Sequence, residues 1–483
     1  MAAPGSGRAA GLGRRCAAVI GCAGLLLLAS CVVDPPPRNV SVVGGDGRVT
    51  LSWDPPLGTS GDVTGYGVVP HAGSVTLPEV RFESTALSQT ISGLTNGVAY
   101  RFQVYAISSL GNESARSDPS EEVTPAPLPI SAGGLHTCAV VAGGGVKCWG
   151  LNRDGQLGNG TTSDATTAVA VAGIGSVVSV GAGYNHTCAV EDDGSVWCWG
   201  ENSQGQLGNG TTSSTSIPVP VTGIANATDV SAGWLYTCAR LEDGAVRCWG
   251  YNDQGQLGNG ATTSSSTPVS VSGISNAVTV GTAMGHTCAK LSDGTIVCWG
   301  DNAYGQLGNG TTLDASTPAA VVGISDAISV SDGAKHTCAV LADNTVRCWG
   351  HNGWGQLGNG ATTGFSPNPL AQTVSDLTNA VEVTAGGAGD GYHTCALTVF
   401  GAVFCWGANY NGQLGDGTFS HSSAPRAIAG YAFALRQVSA GMYNHTCHRR
   451  PDGGARCWGH NEYGQLGNGT STDSSTPVSV VGL

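Results

Sequence analysis

The chain has 483 residues, of which only 11% are charged, whereas glycine alone contributes 76. Abundant glycine, valine, threonine and serine are typical of short strands joined by tight turns, so the composition predicts an all-β protein. The formal net charge of -13 at pH 7 argues against a nucleic acid partner, because binding a phosphate backbone requires clustered lysine and arginine.

The first thirty residues have the pattern of an export signal. Arg8, Arg14 and Arg15 precede an apolar run over residues 17–28, which is too short to span a bilayer comfortably. The text "LASC" at 28–31 resembles the bacterial lipoprotein box, which implies cleavage before Cys31 and lipidation of its thiol. A plain secretory signal with an incidental cysteine is the alternative. We therefore expect a signal peptide over residues 1–30, a spacer over residues 31–37, and a lipid anchor in the cell envelope or at the cell surface.

Alternating apolar and polar residues follow over residues 38–124, which predicts strands with one buried face. Trp53 in an early strand, with Leu94 and Tyr100 spaced like a tyrosine corner, resembles a fibronectin type III module. The resemblance implies a seven-stranded β-sandwich with Trp53 and Tyr100 in its core rather than in a binding site. Residues 125–130 are expected to form a stiff linker to a second domain over residues 131–483.

Seven pairs of cysteines, each ten residues apart, recur in this second domain. Zinc sites usually bring ligands two to four residues apart, so the spacing predicts neither a metal site nor any other cofactor. If Cys188 faces Cys198 in a hairpin, residues 192–194 form a loop whose third position favours glycine or asparagine. That position is glycine in six repeats and Asn344 in the fifth. The predicted intra-hairpin disulfides are Cys138–Cys148, Cys188–Cys198, Cys238–Cys248, Cys288–Cys298, Cys338–Cys348, Cys395–Cys405 and Cys447–Cys457.

A histidine stands two positions before the first cysteine in six repeats, and Tyr236 replaces it in the third. In the hairpin register His186 faces Gly200, so a bulky ring meets a residue without a side chain. We interpret these histidines as packing residues rather than metal ligands or catalytic groups. The tryptophan after each second cysteine is expected to pack between neighbouring repeats. No metalloprotease helix, nucleophile elbow or phosphate loop is present, so we predict no catalytic residues.

The repeated text "HTCAV..DG.V.CWG.N..GQLGNG" resembles the regulator of chromosome condensation repeat in its bacterial, cysteine-containing form. Four strands per repeat and seven repeats predict a seven-bladed β-propeller, with its first strand and its last outer strand adjacent where the ring closes. An insertion around 386–393 and Asp416, which replaces the usual asparagine, predict a distorted sixth blade. The resemblance also implies guanine-nucleotide exchange activity, but an exported acidic chain would not meet a nuclear GTPase or chromatin.

Two sets of loops are expected on one face of the propeller, and they carry aromatic residues at positions that the repeat does not fix. Such residues are typical of a protein-binding face, although they could instead pack the loop bases. The repeated asparagine and "GQLGNG" are interpreted as structural, and acidic turns mark the opposite face. The binding candidates are Tyr184, Trp234, Tyr251, Tyr304, Trp354, Tyr392, Tyr410, Tyr443 and Tyr463.

These observations predict a membrane-tethered, monomeric scaffold that binds another protein, as an inhibitor or as an adhesion or assembly factor. Exported propellers of this type resemble known β-lactamase inhibitors, but the residues do not select that target. A carbohydrate or cell-wall binding module is the alternative, because the same tyrosines and tryptophans could stack on the sugar rings of an envelope glycan. An enzyme is a third hypothesis, which the fold alone does not exclude.

Overall fold

A computed structural model describes residues 34–483 except residues 46, 59–61, 95–97, 126–127, 388–391, 431–436 and 451. The predictions of a signal peptide and of a lipidated Cys31 lie outside the described residues. The described part of the chain forms strands and turns, and it contains no helix suited to crossing a membrane. The chain divides after residue 126 into two compact units.

The first unit is a β-sandwich of two sheets. One sheet has the order β1-β2-β6, and in the other β3 pairs with β7 along one edge and with β4 and β5 along the other. Trp53 and Tyr66 meet edge to face at 5.0 Å between ring centroids, and Leu94 and Tyr100 are buried in the same core. Trp53 and Tyr100 are thus core residues. The strands are β1 Arg38–Gly45, β2 Arg48–Asp54, β3 Val63–Ala72, β4 Val75–Thr76, β5 Val80–Phe82, β6 Ser88–Ser92 and β7 Tyr100–Ser108.

The described part of the second unit forms seven antiparallel sheets of four strands, one for each repeat, arranged as the blades of a propeller. The innermost strands are β8 Ile130–Ala132, β12 Val177–Ala182, β16 Ala227–Ala232, β20 Ala277–Thr282, β24 Ala327–Asp332, β28 Ala380–Gly386 and β32 Gln437–Ala440. The second strands are β9 His136–Val140, β13 His186–Glu191, β17 Tyr236–Leu241, β21 His286–Leu291, β25 His336–Leu341, β29 His393–Thr398 and β33 His445–Arg449. The third strands are β10 Val146–Gly150, β14 Val196–Gly200, β18 Val246–Gly250, β22 Ile296–Gly300, β26 Val346–Gly350, β30 Val403–Gly407 and β34 Ala455–Gly459. The outer strands are β11 Ala165–Ala170, β15 Thr215–Pro220, β19 Ser265–Ser270, β23 Ala315–Ala320, β27 Gln372–Thr373, β31 Ser422–Ala427 and β35 Ser474–Ser479.

The register of the central hairpin is the one that the cysteine spacing predicts. Cys188 pairs with Cys198 and His186 with Gly200, and a disulfide joins the two cysteines in this and in each of the other six blades. At the end of the loop, Gly194 has a φ of 81° and Asn344 a φ of 65°. This left-handed conformation explains why the third loop position is glycine or asparagine.

Neighbouring blades share small apolar cores. In one of them Val190 and Val196 of the second blade pack with Val230 and Trp249 of the third. The indole Nε1 of Trp249 donates a 2.9 Å hydrogen bond to the carbonyl oxygen of Gln206 in the preceding blade. The repeated tryptophans therefore pack between blades, as the sequence predicts.

The ring closes between the seventh and first blades, but not in the way expected from the sequence. β8 is the innermost strand of the first blade and β35 is the outermost strand of the seventh, so the two are not neighbours. Instead, Ile130 N and Ala132 N donate to Gln437 Oε1 (3.1 Å) and Ser439 Oγ (3.0 Å) of β32. The expected adjacency is wrong because each blade takes all four strands from a contiguous segment of the chain.

The irregularity predicted for the sixth blade is divided between the fifth blade and the insertion around 386–393. The outer strand of the fifth blade, β27, has only two residues, and the segment before Asn368 is three residues longer than in the fourth blade, because residues 361–367 replace the four residues 311–314. We call residues 361–367 the extra segment. Asp416 does not distort the sixth blade, because its Oδ1 accepts from Thr418 N (2.9 Å) as Asn159 Oδ1 accepts from Thr161 N (3.1 Å) in the first. The central part of the insertion expected around 386–393 lies outside the described residues.

Candidate functional site

The loops that join the first to the second strand and the third to the fourth strand of each blade emerge on the same side of the ring. In the second blade a hydrogen bond joins the two loops, in which Glu201 N donates to Asn185 O (2.9 Å). The hairpin turns and the connections between blades lie at the other edge, where Asp192 N donates to Ser176 O (2.9 Å). We call the first side the loop face and the second the turn face.

A repeated network of buried polar groups holds the long loops of the loop face. Asn202 is fully buried, its Oδ1 accepts from Leu207 N (2.9 Å), and its Nδ2 donates to Thr211 O (3.1 Å) and Ser213 O (3.0 Å). Gln206 Oε1 accepts from Gln204 N (2.9 Å). These oxygen atoms stabilise turns rather than hold an ion, so the repeated asparagine and glutamine are structural and the variable residues project from a rigid base.

The repeated histidines lie in the blade interfaces and not on either face. His136 Nε2 lies 2.8 Å from Thr187 Oγ1, and this hydroxyl donates its only proton to Gln156 O (2.9 Å). His136 must therefore donate from Nε2, which identifies the neutral tautomer. Burial lowers the pKa of His136 to about 3. The same contact recurs in the other five blades that carry the histidine, and the last of them joins His445 and Thr137 (3.0 Å) between the seventh and first blades.

One group of predicted binding residues forms an aromatic cluster near the first-to-second strand loops. Tyr184 lies 5.6 Å from Tyr443 and 6.2 Å from Trp234, and Trp234 lies 6.2 Å from Tyr251, all measured between ring centroids. The Tyr184 hydroxyl donates to the Tyr443 hydroxyl at 3.4 Å. All four side chains are half-buried, so they both contact solvent and pack against one another.

A second group of residues lines a pocket of about 330 Å³ over the fourth to sixth blades. Tyr304 and His351 are 4.8 Å apart between ring centroids, and Tyr392 lies 5.1 Å from His351. The ammonium nitrogen of Lys335 lies 4.8 Å from the Tyr304 ring centroid. Tyr392 is only 6% exposed because its ring packs against His351, so at this position the aromatic side chain packs a loop base, which is the alternative that the sequence left open.

The remaining candidates are Trp354, which also lines the pocket, Tyr410 and Tyr463. Trp354 packs edge to face on Tyr410 at 5.3 Å, and His421 lies 4.4 Å from Tyr410. Tyr463 lies apart from them, with the guanidinium carbon of Arg153 5.3 Å from its ring centroid. Of the nine predicted aromatic residues, Tyr410 is the most exposed, at 48%, and the other eight are half-buried or buried.

Several residues of the loop face were not predicted from the sequence. Lys335, His351 and His421 contact the predicted aromatics and occupy positions that vary between repeats, and Phe365 packs against His351. Comparison of the repeats position by position could have found Lys335 and His421. Phe365 belongs to the extra segment of the fifth blade, and its proximity to His351 depends on the folded path of that segment.

The turn face carries the predicted acidic residues, and most of these side chains stabilise their own turns. Asp193 Oδ1 accepts from Ser195 N (2.9 Å), and this contact lowers the pKa of the exposed Asp193 carboxyl. In the sixth blade Val399 and Phe400 occupy the corresponding turn, and both are exposed.

His286, Cys288 and Asp332 form one buried group whose ligand atoms lie close enough for a metal ion. Cys288 is joined to Cys298 in a disulfide, and His286 Nε2 lies 2.9 Å from Thr337 Oγ1, whose proton goes to Gln306 O. A disulfide sulfur is not a thiolate ligand, and His286 Nε2 carries a proton, so the donor set does not fit a cation site. Burial raises the pKa of Asp332 to about 7.

Seven four-stranded blades, each built from one sequence repeat with the same turns, define the second unit as a seven-bladed β-propeller. The family model described as RCC1-like domain matches residues 106–442, and two models of the regulator of chromosome condensation (RCC1) repeat match residues 435–465 and 452–483. This chain therefore belongs to the RCC1-like domain family. The fibronectin type III domain model matches residues 35–123.

Similar proteins share the propeller rather than the whole chain. The human E3 ubiquitin-protein ligase HERC2 is 31% identical over 118 residues, which are 23% of this chain and 2% of HERC2. The structure of human WBSCR16 is 22% identical, has a TM-score of 0.63, and aligns over 70% of this chain and 94% of that one. Yeast RCC1 (Prp20), solved with Kap60 bound, is 21% identical with a TM-score of 0.61, over 69% and 83% of the two chains. At these identities the two structures establish the fold.

Proposed function

We propose that this chain is a protein-binding scaffold that uses the loop face of its propeller and has no enzymatic activity. One observation carries the proposal: aromatic side chains at the variable loop positions gather on one face, above loops that buried asparagine and glutamine side chains hold in place. Rigid aromatic side chains lose little entropy on binding and dominate the energetics of many interfaces. Yeast RCC1, which shares this fold, is itself a protein that binds another protein, Kap60.

The proposal is tested by capture of proteins from native envelope extract, with cross-linking to locate the contact. Trp234→Ala/Tyr304→Ala/Trp354→Ala removes three rings from the loop face. Val399→Ala/Phe400→Ala is the matched control, because it removes exposed apolar groups from the turn face. We expect the parent chain and the control variant to capture a protein that cross-links to the loop face, and we expect the triple variant not to capture it. Equal capture by all three would contradict the proposal.

Binding to envelope glycans is the second outcome that the same variants can detect. Tyrosine and tryptophan rings stack on sugars, so a glycan array is probed with the parent chain and the triple variant. Glycan binding that the triple variant loses, without capture of a protein, would replace the protein scaffold with a carbohydrate-binding module.

We infer that the mature chain is exported and attached to a bacterial cell envelope through Cys31. The signal-like residues 1–30 and the seven buried disulfides support this location, since disulfides persist in oxidising compartments. Cys31→Ser should move the chain from the membrane fraction to the soluble fraction and abolish its labelling by a fatty acid. Unchanged membrane association and labelling would contradict the inference.

A further inference from the structure

Blades four to six differ from the other blades on the loop face. An exposed apolar residue lies in the segment that follows the turn "GNG" of the fourth and fifth blades and the equivalent "GDG" of the sixth. These residues are Leu313, Phe365 and Phe419, which are 75%, 81% and 57% exposed. The corresponding segments of the other blades, residues 161–164, 211–214, 261–264 and 470–473, contain serine, threonine, alanine and aspartate. Exposed apolar groups that cluster on one part of a surface are typical of an interaction site.

The extra segment of the fifth blade builds one wall of the pocket in this sector. Asn352 and Gly364 form a β-bridge, Asn368 N donates to Tyr304 O (3.1 Å), and Asn368 Nδ2 donates to Gly350 O (2.9 Å). These bonds hold Phe365 5.8 Å from His351 between ring centroids. The pocket is therefore preorganised by contacts that are not found among the described residues of the other blades.

The polar groups of the pocket favour an anionic ligand. Gln356 Oε1 accepts from Trp354 N (2.9 Å), so its Nε2 donates to His351 Nδ1 (2.7 Å) and the proton of this neutral imidazole is on Nε2. Among the described residues no carboxylate lies within ion-pair distance of Lys335 Nζ. Asp301 influences Lys335 electrostatically, but its carboxylate accepts from Ala303 N (3.0 Å).

The same pocket is poorly suited to a sugar. None of the described residues that line it has a carboxylate or amide side chain, which are the groups that usually bind the hydroxyl groups of a sugar. The lining residues are Tyr304, Lys335, His351, Gly353, Trp354, Gly364, Phe365 and Tyr392. Its volume of about 330 Å³ lies at the small end of ligand pockets and suits one bulky side chain.

We propose that this pocket receives an aromatic side chain of a protein partner, with an adjacent partner carboxylate on Lys335, and that the partner docks over blades four to six. This inference rests on the proposed protein-binding function and specifies the chemistry of the partner. The aromatic ring would enter between Tyr304, His351 and Phe365, and the carboxylate would form a charge-assisted hydrogen bond with the ammonium group.

The test uses two capped peptides, acetyl-Gly-Phe-Glu-Gly-amide and acetyl-Gly-Phe-Gln-Gly-amide, titrated into the purified full chain and followed by NMR. We expect the glutamate peptide to bind about tenfold more tightly, since it alone supplies the charge. Lys335→Gln should abolish this preference, and Phe365→Ser should weaken binding of both peptides. Arg153→Gln is the matched control, because Arg153 lies over Tyr463 on the same face but outside the pocket.

Equal affinity for the two peptides, no binding of either at millimolar concentration, or loss of the preference in Arg153→Gln would overturn the inference. The proposed function can survive this failure, because a captured protein would then cross-link to the loop face through residues outside the pocket. If the glutamate peptide binds the pocket but no protein is captured through the loop face, the specificity of the pocket for an aromatic ring with a carboxylate is supported and the proposed scaffold function is wrong.

Discussion

The buried histidines between the blades determine how the propeller responds to acid. Burial lowers the pKa of His186 from 6.5 to about 3, so the unfolded chain binds a proton between these values and the folded chain does not. The stability that depends on neutral His186 is therefore complete above pH 6.5 and decreases as the pH falls toward 3. We expect each such histidine to contribute a slope of at most about 1.4 kcal/mol per pH unit in this range.

Blade three provides the variant that tests this expectation. Tyr236 occupies the histidine position there, and its hydroxyl donates to His286 O (2.5 Å) and accepts from Ala283 N (3.1 Å). His186→Tyr should fold and should reduce the dependence of the unfolding free energy on pH, measured by urea unfolding between pH 4 and pH 7. Tyr236→His should increase that dependence. Parallel curves for the parent chain and both variants would show that the histidines do not control the acid response.

Asp332 produces a pH dependence of the opposite sign. Its carboxyl lies beside the central channel, where five other blades have alanine, and burial raises its pKa from 3.8 to about 7. The folded chain therefore retains the proton longer than the unfolded chain, and stability decreases as the pH rises from about 4 to about 7. Asp332→Asn should be more stable than the parent at pH 8 by at most about 4 kcal/mol and equal to it near pH 4. Urea unfolding at the two pH values measures this difference, and a gain of equal size at both would contradict it.

Among the repeated elements, the "GQLGNG" turn is fixed by its contact with the next blade. Gly158 has a φ of 66°, and a Cβ atom there would lie 2.7 Å from Trp199 Nε1. Gly173 has a similar φ of 74°, but a Cβ atom at that position would meet nothing within 4 Å. Substitution of Gly173 therefore measures the cost of the left-handed backbone alone, whereas substitution of Gly158 adds the cost of a steric contact with the next blade.

Gly173→Ala should lower the free energy of unfolding by about 1 kcal/mol, because only the left-handed backbone is unfavourable. Gly158→Ala should cost about 2 kcal/mol more, because the Trp199 indole must also move. Thermal and urea unfolding of both variants measure the difference. Equal destabilisation would mean that the turn tolerates a displaced tryptophan and that its glycine reflects conformation alone.

Regular elements were predictable because their determinants are local. The ten-residue cysteine spacing and the glycine or asparagine at positions 194 and 344 specify the hairpin register without knowledge of the rest of the fold. The pocket was not predictable, because His351 and Phe365 are brought together by residues 364–371, whose path depends on bonds to Asn352 and to Tyr304. The repeat identified Tyr304 and Trp354 as variable aromatics but could not indicate which rings contact one another.

At the scale of the whole ring, the joint between the seventh and first blades is unusual because no connecting segment links the two blades in sequence. Consecutive blades are linked by a short connection, which limits the entropy gained when an interface opens. The seventh and first blades are separated by the whole propeller, so noncovalent contacts alone must hold them. Arg449 supplies several of these: it is fully buried, and its guanidinium group donates to Leu128 O (3.0 Å) and to Val140 O of the first blade.

Replacement of Arg449 should therefore open the ring at this joint before the blades themselves unfold. Arg449→Met leaves the carbonyls of Leu128 and Val140 without their charged donor, and we expect a loss of about 3 kcal/mol. Hydrogen exchange should accelerate in β8 and β32 but not in β20, which lies across the ring. Arg240→Met, at the equivalent position of the third blade, should leave exchange in β8 and β32 unchanged, because the chain itself connects that blade to its neighbours. Uniform acceleration in Arg449→Met would indicate that the propeller unfolds as one cooperative unit, with no weak joint at its closure.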